Sequence, residues 1–207
     1  MTISPPAGVT GVVHVGGGRG QEALFYQQQS LPVLWIEPLP ANVAMIRQRI
    51  ASIPNQIVEQ ALISDRDGER ATFFVTSNSK GSTMSSSMLP LNKNRQQFLS
   101  IYTANIKQMT TTTLPVVMER HPNIPWNYLV VDVQGAELRV LNGAKPLIPK
   151  FRWILLEGST VELYEGQPLI PELTEWLIDH GFHLVKYDLN RPEWHTDYLF
   201  HQSENPP

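Results

Sequence analysis

The chain has 207 residues, 42% of them apolar and 17% charged, a globular composition with enough length for one domain that buries a full core. Sixteen basic residues against nineteen acidic ones give a net charge of −3, which points away from a dedicated nucleic-acid binder. The absence of cysteine excludes disulfides, thiolate metal sites and cysteine nucleophiles.

No apolar run approaches the roughly 18 residues of a transmembrane helix. The opening MTISPPAGVTGVV has neither the basic start nor the apolar stretch of a secretory signal. The expectation is a soluble, cytoplasmic single domain spanning 1–207, with its core at about 10–201 and a disordered tail at 202–207.

In chain order, residues 12–15 (VVHV) form the first short apolar run, bounded by glycine, and read as a buried strand. A helix is predicted over 21–29, with Leu24 and Phe25 on its apolar side. Residues 33–36 (VLWI) repeat the strand signature. Residues 42–52 carry Val43, Ile46 and Ile50 on one helical stripe, with Pro40 and Asn42 as start signals. IVEQALI at 57–63 and ATFFV at 71–75 read as weaker strands. Thr76 to Ser87 (TSNSKGSTMSSS) holds eight Ser or Thr in twelve positions and reads as an exposed flexible loop, or as a loop on the substrate side. The four threonines at 110–113 belong to a strand by their β-branching.

Residues 128–133 and 153–156 are two more apolar, β-rich strands. A helix over 171–180, stopped by Gly181, is followed by strands at 182–187 and 198–201 joined by a Pro-containing turn. Continuous apolar strands alternating with helices imply a parallel sheet covered on both faces. The final strand pair implies an antiparallel end. The fold class is therefore α/β, a Rossmann-like doubly wound sheet.

The most informative stretch is VVHVGGGRGQE. Between strand and helix, Gly16, Gly18 and Gly20 alternate, permitting close approach of a ligand to bare backbone ahead of a helix N-terminus. About twenty residues on, VLWIEP ends its strand on Glu37, placed to accept the hydroxyls of an adenosine ribose. A dinucleotide fingerprint needs a small residue at the sixth position from Gly16, which here is Gln21. No G-K-[ST] follows, so Walker-type phosphate binding is excluded. The spacing G-x-G-x-G matches that of S-adenosylmethionine-dependent methyltransferases.

HVGGGRGQEALFY, VLWIEPLP, ALISDRDGE, STMSSSM, YLVVDVQGAELRVLNGA and ILLEGSTVELYEG, in that order over about residues 10–200, resemble the FkbM-type methyltransferases, a family of the class I methyltransferase fold. DVQGAELRVLNGA is the most specific of these segments. The resemblance implies S-adenosylmethionine as cofactor, S-adenosylhomocysteine as product, and a small-molecule or sugar acceptor.

It also implies that Gly16, Gly18 and Gly20 back the methionine part of the cofactor and that Glu37 takes the ribose. Ile63, Ser64 and Asp65 would lie near the adenine, and Asp132 would face the methionine amino group or the acceptor. His14, Gly17, Pro38 and Gln134 complete the implied cofactor set. Gly17 stands where many relatives have Ala. The family's T-L-D reads Thr113, Leu114, Pro115 here, so no role for that acid carries over. The short stretch ahead of the first strand suggests an acceptor pocket that is open, or one closed by the Ser-rich loop.

Methyl transfer to a hydroxyl requires alignment and a base. The candidate catalytic residues are Asp132 and Glu157, acids ending apolar strands, and Glu137 in the following helix, which also reads as a prop for its loop. His14 reads as a packed strand residue as well as a cofactor neighbour, and His195, near the final strand, reads as a structural residue as well as one able to reach an acceptor site from the turn. His180 and His183 are separated by a helix-stopping glycine, and no metal site is expected. Trp35 and Trp153 read as core. Two further readings stand beside methyl transfer: an NAD-dependent oxidoreductase, and a methyltransferase-like domain that binds without chemistry. Neither nucleic acid nor membrane is expected as a partner, and exposed edge strands would allow a homodimer.

Overall fold

A computed structural model describes residues 3–94, 100–188 and 194–203. Seven strands form one sheet in the order β3-β2-β1-β7-β8-β10-β9. They are β1 (Val12–Val15), β2 (Val33–Glu37), β3 (Gln56–Gln60), β7 (Tyr128–Val131), β8 (Trp153–Ser159), β9 (Phe182–Tyr187) and β10 (His195–Gln202). Pairs β1–β2, β2–β3, β1–β7 and β7–β8 are parallel. β10 runs antiparallel to both β8 and β9, as the terminal strand pair required. β1 and β2 are buried at every position, which is why they read as unbroken apolar runs.

Each face has its own core. Val13, Val15, Leu129, Val131, Ile154 and Leu156 point to one side. There they meet α3 (Leu114–Met118), α4 (Glu137–Gly143) and α5 (Ile170–Asp179). Val12, Trp35, Tyr128 and Val130 point to the other side, against α1 (Ala23–Gln28) and α2 (Pro40–Ile50). Trp35 is fully buried. Its indole N–H donates to Gln56 at 3.0 Å, and Gln56 donates in turn to the Ala23 carbonyl at 2.9 Å. That chain ties α1 to β3 and leaves neither buried polar group stranded.

A second sheet, in the order β4-β6-β5, joins β4 (Leu62–Ile63), β5 (Arg70–Asn78) and β6 (Ile101–Thr112). The expected strand 57–63 is thus two strands broken at Ala61. The first belongs to the main sheet and the second pairs with β6. β5 takes in Thr76–Asn78 from the expected loop, and β6 starts nine residues before the threonine run. Most of β6 is exposed or half-buried on both faces, so it lacks the apolar signature that betrays a buried strand. α3, with Pro115 in its first turn, was not anticipated. Gln202 and Ser203 are not a free tail. Gln202 closes β10, and Ser203 N–H donates to the Gly181 carbonyl at 2.7 Å. The rest of the expected tail lies outside the described residues. Among the described residues, no helix is long and apolar enough to cross a membrane.

Gly143, the last residue of α4, sits where a Cβ would lie 2.1 Å from the Ser64 carbonyl oxygen. Alanine ordinarily gains up to about 1 kcal/mol over glycine in a helix. Here the sign is expected to reverse. Gly143→Ala is expected to lower unfolding stability by about 1–3 kcal/mol, read from the midpoint of urea denaturation.

Candidate active site

The parallel neighbours β2, β1 and β7 deliver three loops to one end of the sheet, where ligands of open α/β folds bind. The turn after β1 is pinned by Gly16 and Gly17 N–H groups donating to the Ile36 carbonyl at 2.9 and 3.0 Å. Gly16 has φ +85, and a Cβ there would lie 1.8 Å from the Asp132 carbonyl oxygen. Only glycine lets the β1 and β7 loops approach this closely.

Glu37 ends β2 and is 5% exposed. Its Oε2 accepts from Gly18 N–H at 3.0 Å, and its Oε1 accepts from Leu39 N–H at 3.0 Å and the Asn42 amide at 3.1 Å. Burial pushes its carboxyl up to about 7, against the opposing pull of these donors. The carboxylate thus ties the glycine turn to the start of α2.

Between the glycine turn, Glu37 and Asp132 lies a cleft with about 580 Å³ of empty volume, its open mouth included. Ile63, Phe73, Met88 and Ala136 supply an apolar wall, and Pro38 and Gln134 also line it. No lysine, arginine or histidine does so among the described residues. A second cavity of about 340 Å³ shares Gly16, Met84 and Asp132 with the first and adds His14, Gly17 and Glu157. Met84 divides the two: its Cε would lie 2.6 Å from a Cβ on Gly18.

Asp132 lies just beyond β7. The Gln134 amide donates to its Oδ1 at 2.6 Å, and the same nitrogen donates to Glu157. Burial, and then the charge and hydrogen bond of Glu157, push the Asp132 carboxyl well above its usual range. Two carboxyls this close do not both ionise readily, so they titrate as a pair. Glu157 does not end its strand; β8 continues to Ser159. It is 5% exposed, and its Oε1 lies 3.1 Å from His195 Nε2. Gln134 holds the array from φ +58. Its carbonyl accepts from the Ser87 hydroxyl at 2.6 Å, and its side-chain oxygen accepts from the Tyr164 hydroxyl at 3.1 Å.

Several expected residues do not face the cleft. Glu137 is 1% exposed, and its Oε1 accepts from Gly135 N–H at 3.0 Å and Val133 N–H at 3.3 Å. It props the loop that carries Asp132 and lines neither cavity. Ser64 turns its hydroxyl to Asp65 at 2.9 Å, and Asp65 lies toward solvent beside Arg66. Of that trio, only Ile63 lines the cleft. Gly20 packs on Ile46 and donates to the Gly17 carbonyl at 2.8 Å, shaping the turn from behind. His14 stacks on Trp35 at 4.7 Å, with the Tyr26 hydroxyl 3.2 Å from Nδ1. Burial lowers its pKa to about 4, so it is a neutral packed side chain at the edge of the second cavity.

Residue spacing did not reveal Asn42, Phe73, Met84, Met88 or Tyr164. Of these, Asn42 left a signal, because an amide four residues past a strand-end acid's proline is positioned to donate back to it. The Ser-rich loop is not free. Asn78 and Ser86 bind its backbone, Thr83 donates to Asn42 at 3.1 Å, and Arg19 donates to the Gly81 carbonyl at 3.1 Å. The Ser77, Ser82 and Ser86 hydroxyls serve the loop's own backbone polar groups.

A seven-stranded, mostly parallel sheet with an antiparallel end, a glycine turn after the first strand and an acid ending the second define a class I methyltransferase fold. The magnesium protoporphyrin IX methyltransferase ChlM of Synechocystis PCC 6803, solved with bound SAM, shares that fold: TM-score 0.52, 10% identity, 95% of this chain and 71% of that one. The chain belongs to the FkbM methyltransferase family, whose domain matches residues 14–184. It is similar to the 2-O-methyltransferase NoeI of Sinorhizobium fredii, 27% identical over 167 residues, covering 75% of this chain and 66% of NoeI. It is also similar to the methyltransferase sdnD of Sordaria araneosa, 36% identical over 69 residues, covering 33% of this chain and 24% of sdnD. The matched segments thus span at most about two thirds of these curated relatives.

Glu137 gives a signed test. Burial raises its carboxyl from 4.5 to about 7, so the stability it contributes is complete below about pH 4.5 and is lost as pH rises through 7. Glu137→Gln keeps the acceptor oxygen for Gly135 and Val133 and removes the charge. The variant is expected to match the native protein near pH 5 and to exceed it by about 1–3 kcal/mol at pH 8.5, measured by chemical denaturation at both pH values.

Proposed function

We propose that this protein transfers a methyl group from S-adenosylmethionine to a hydroxyl of a small molecule or sugar, with Asp132 taking the hydroxyl proton. The observation that carries the reading is the cleft over Gly16 and Gly18, flanked by two acids, the buried Glu37 on one side and the half-buried Asp132 on the other.

The residues fit an adenosine-bearing sulfonium. Glu37 spends three of its roughly four lone pairs on donors and keeps one, on Oε2, for a ribose hydroxyl. The apolar wall of Ile63, Phe73, Met88 and Ala136 suits an adenine ring. A cleft with two acids and, among the described residues, no basic one favours a cation and disfavours the pyrophosphate of NAD. Bound there, S-adenosylmethionine supplies an activated methyl group on a sulfonium sulfur.

The chain's own work is alignment and proton handling. Alignment supplies at best roughly 7–11 kcal/mol. A positioned base supplies about 10²–10⁴-fold. Asp132 has the geometry for that base: it lines both cavities, and Gln134 fixes its orientation. Glu137 acts one step back, holding the loop that carries Asp132. The hydroxyl acceptor follows the resemblance to the FkbM family and the 2-O-methyltransferase activity in NoeI's name.

Calorimetric titration tests the reading, with S-adenosylhomocysteine as ligand and NAD in parallel. S-adenosylhomocysteine is expected to bind with micromolar affinity, Glu37→Ala to weaken it by about 100-fold or more, and NAD to give no heat. NAD binding with no response to S-adenosylhomocysteine would overturn the reading. Asp132→Asn is expected to retain S-adenosylhomocysteine binding within about tenfold.

A further inference from the structure

A continuous run of hydrogen bonds joins the second sheet to the acid that ends β2. Thr76 N–H, on β5, donates to the Ser86 hydroxyl at 3.0 Å, and that hydroxyl donates to the Thr83 carbonyl at 2.7 Å. The Thr83 hydroxyl donates to Asn42 Oδ1 at 3.1 Å. Asn42 Nδ2, on α2, donates to Glu37 Oε1 at 3.1 Å. Thr83, Asn42 and Glu37 all line the same cleft.

The chemistry of each group sets the direction of this run. An ionised carboxylate only accepts, so the Asn42 amide turns its NH2 to Glu37. Its oxygen then faces Thr83, whose hydroxyl supplies the proton. Asn42 is 4% exposed, and a buried amide oxygen that loses its donor is costly. Leu39 N–H is the second donor on Glu37 Oε1. With both donors in place Oε1 is filled, and the remaining lone pair lies on Oε2, beside Gly18 N–H.

The Thr83 hydroxyl is not what holds the loop. Asn78 Oδ1 accepts from Lys80 and Ser82 N–H at 2.9 and 3.0 Å, and Ser86 N–H donates to the Thr83 carbonyl at 3.2 Å. Arg19 reaches the Gly81 carbonyl from the glycine turn at 3.1 Å. Those contacts remain when the hydroxyl at position 83 is removed, so its loss releases Asn42 and not the loop. Met84, the next residue, has an unbranched side chain that can leave Gly18 by rotation while Thr83 stays in place.

We propose that Thr83 is a positioning residue for cofactor binding: its hydroxyl sets the Asn42 amide, and Asn42 sets Glu37 with Oε2 turned to the ribose. The inference rests on the S-adenosylmethionine reading and deepens it. Thr83 acts through Asn42 and Glu37. The second sheet thereby has a task, which is to present the Ser-rich loop to the ribose acid.

Calorimetric titration with S-adenosylhomocysteine tests this with a matched pair of variants. Thr83→Val keeps the shape of the side chain and removes the hydroxyl. Thr83→Ser keeps the hydroxyl and removes the methyl. Thr83→Val is expected to weaken binding by about fivefold or more, and Thr83→Ser to stay within about twofold of the native protein. A packing role predicts the reverse order. Asn42→Ala is also expected to weaken binding, and in that background Thr83→Val is expected to add less than about twofold. Native affinity in Thr83→Val would overturn the proposal. So would a loss in Thr83→Ser as large as that in Thr83→Val, or a full further loss on top of Asn42→Ala. If Asn42→Ala does not fold, the serine and valine pair decides alone. The native titration separates the two levels. Native binding with no loss in Thr83→Val removes the role of Thr83 alone, and absence of native binding removes the cofactor reading and this role together.

Discussion

Burying acids at the end of an apolar sheet is the constraint around which this structure is arranged. Glu37, Glu137 and Glu157 are each 5% exposed or less, and an isolated buried carboxylate is costly. Each is met by local donors. Glu37 takes the Gly18 and Leu39 N–H groups and the Asn42 amide, Glu137 takes Val133 and Gly135, and Glu157 takes Gln134 and His195. Four of those donors, Gly18, Asn42, Val133 and Gln134, line the cleft. Satisfying the charge and shaping the site are therefore one act.

Gln134 shows how far this goes. A non-glycine residue at φ +58 is strained, by about 1–3 kcal/mol. Four partners hold it there: Asp132, Glu157, Tyr164 and the Ser87 hydroxyl. They come from the end of β7, from β8, from the segment beyond β8 and from the Ser-rich loop. A single amide thus joins the main sheet to the loop over the cleft.

The main sheet was legible because its central strands are buried on both faces and its glycine turn is local in sequence. Glu37 followed from the same logic, one strand further on. The second sheet was only partly legible. β6 is polar and largely exposed, and β4 is a two-residue strand whose partner lies about fifty positions away. Long-range pairing leaves no periodic trace. For the same reason spacing failed for Phe73, Met84 and Met88, which line the cleft from the second sheet and the segment that follows it, and for Tyr164, which reaches Gln134 from beyond β8. Ser64 and Asp65 illustrate the opposite error. They sit beside a cleft residue, Ile63, yet Ser64 is buried against Gly143 with its hydroxyl on Asp65, and Asp65 turns to solvent. Glu137 looked catalytic by type and position, but its two N–H donors make it a support for the Asp132 loop.

Met84 is the side chain on which the account turns, because it stands against Gly18 between two cavities that share Gly16 and Asp132. Joined, those cavities run from the apolar wall past Glu37 to Asp132 and Glu157. A crystal structure of the complex with S-adenosylhomocysteine tests the account most directly. It predicts the ribose hydroxyls on Glu37, the sulfur between Gly16 and Asp132, and Met84 displaced from Gly18. A ligand held elsewhere, with Met84 still seated on Gly18 and Glu37 without a ribose contact, would contradict it.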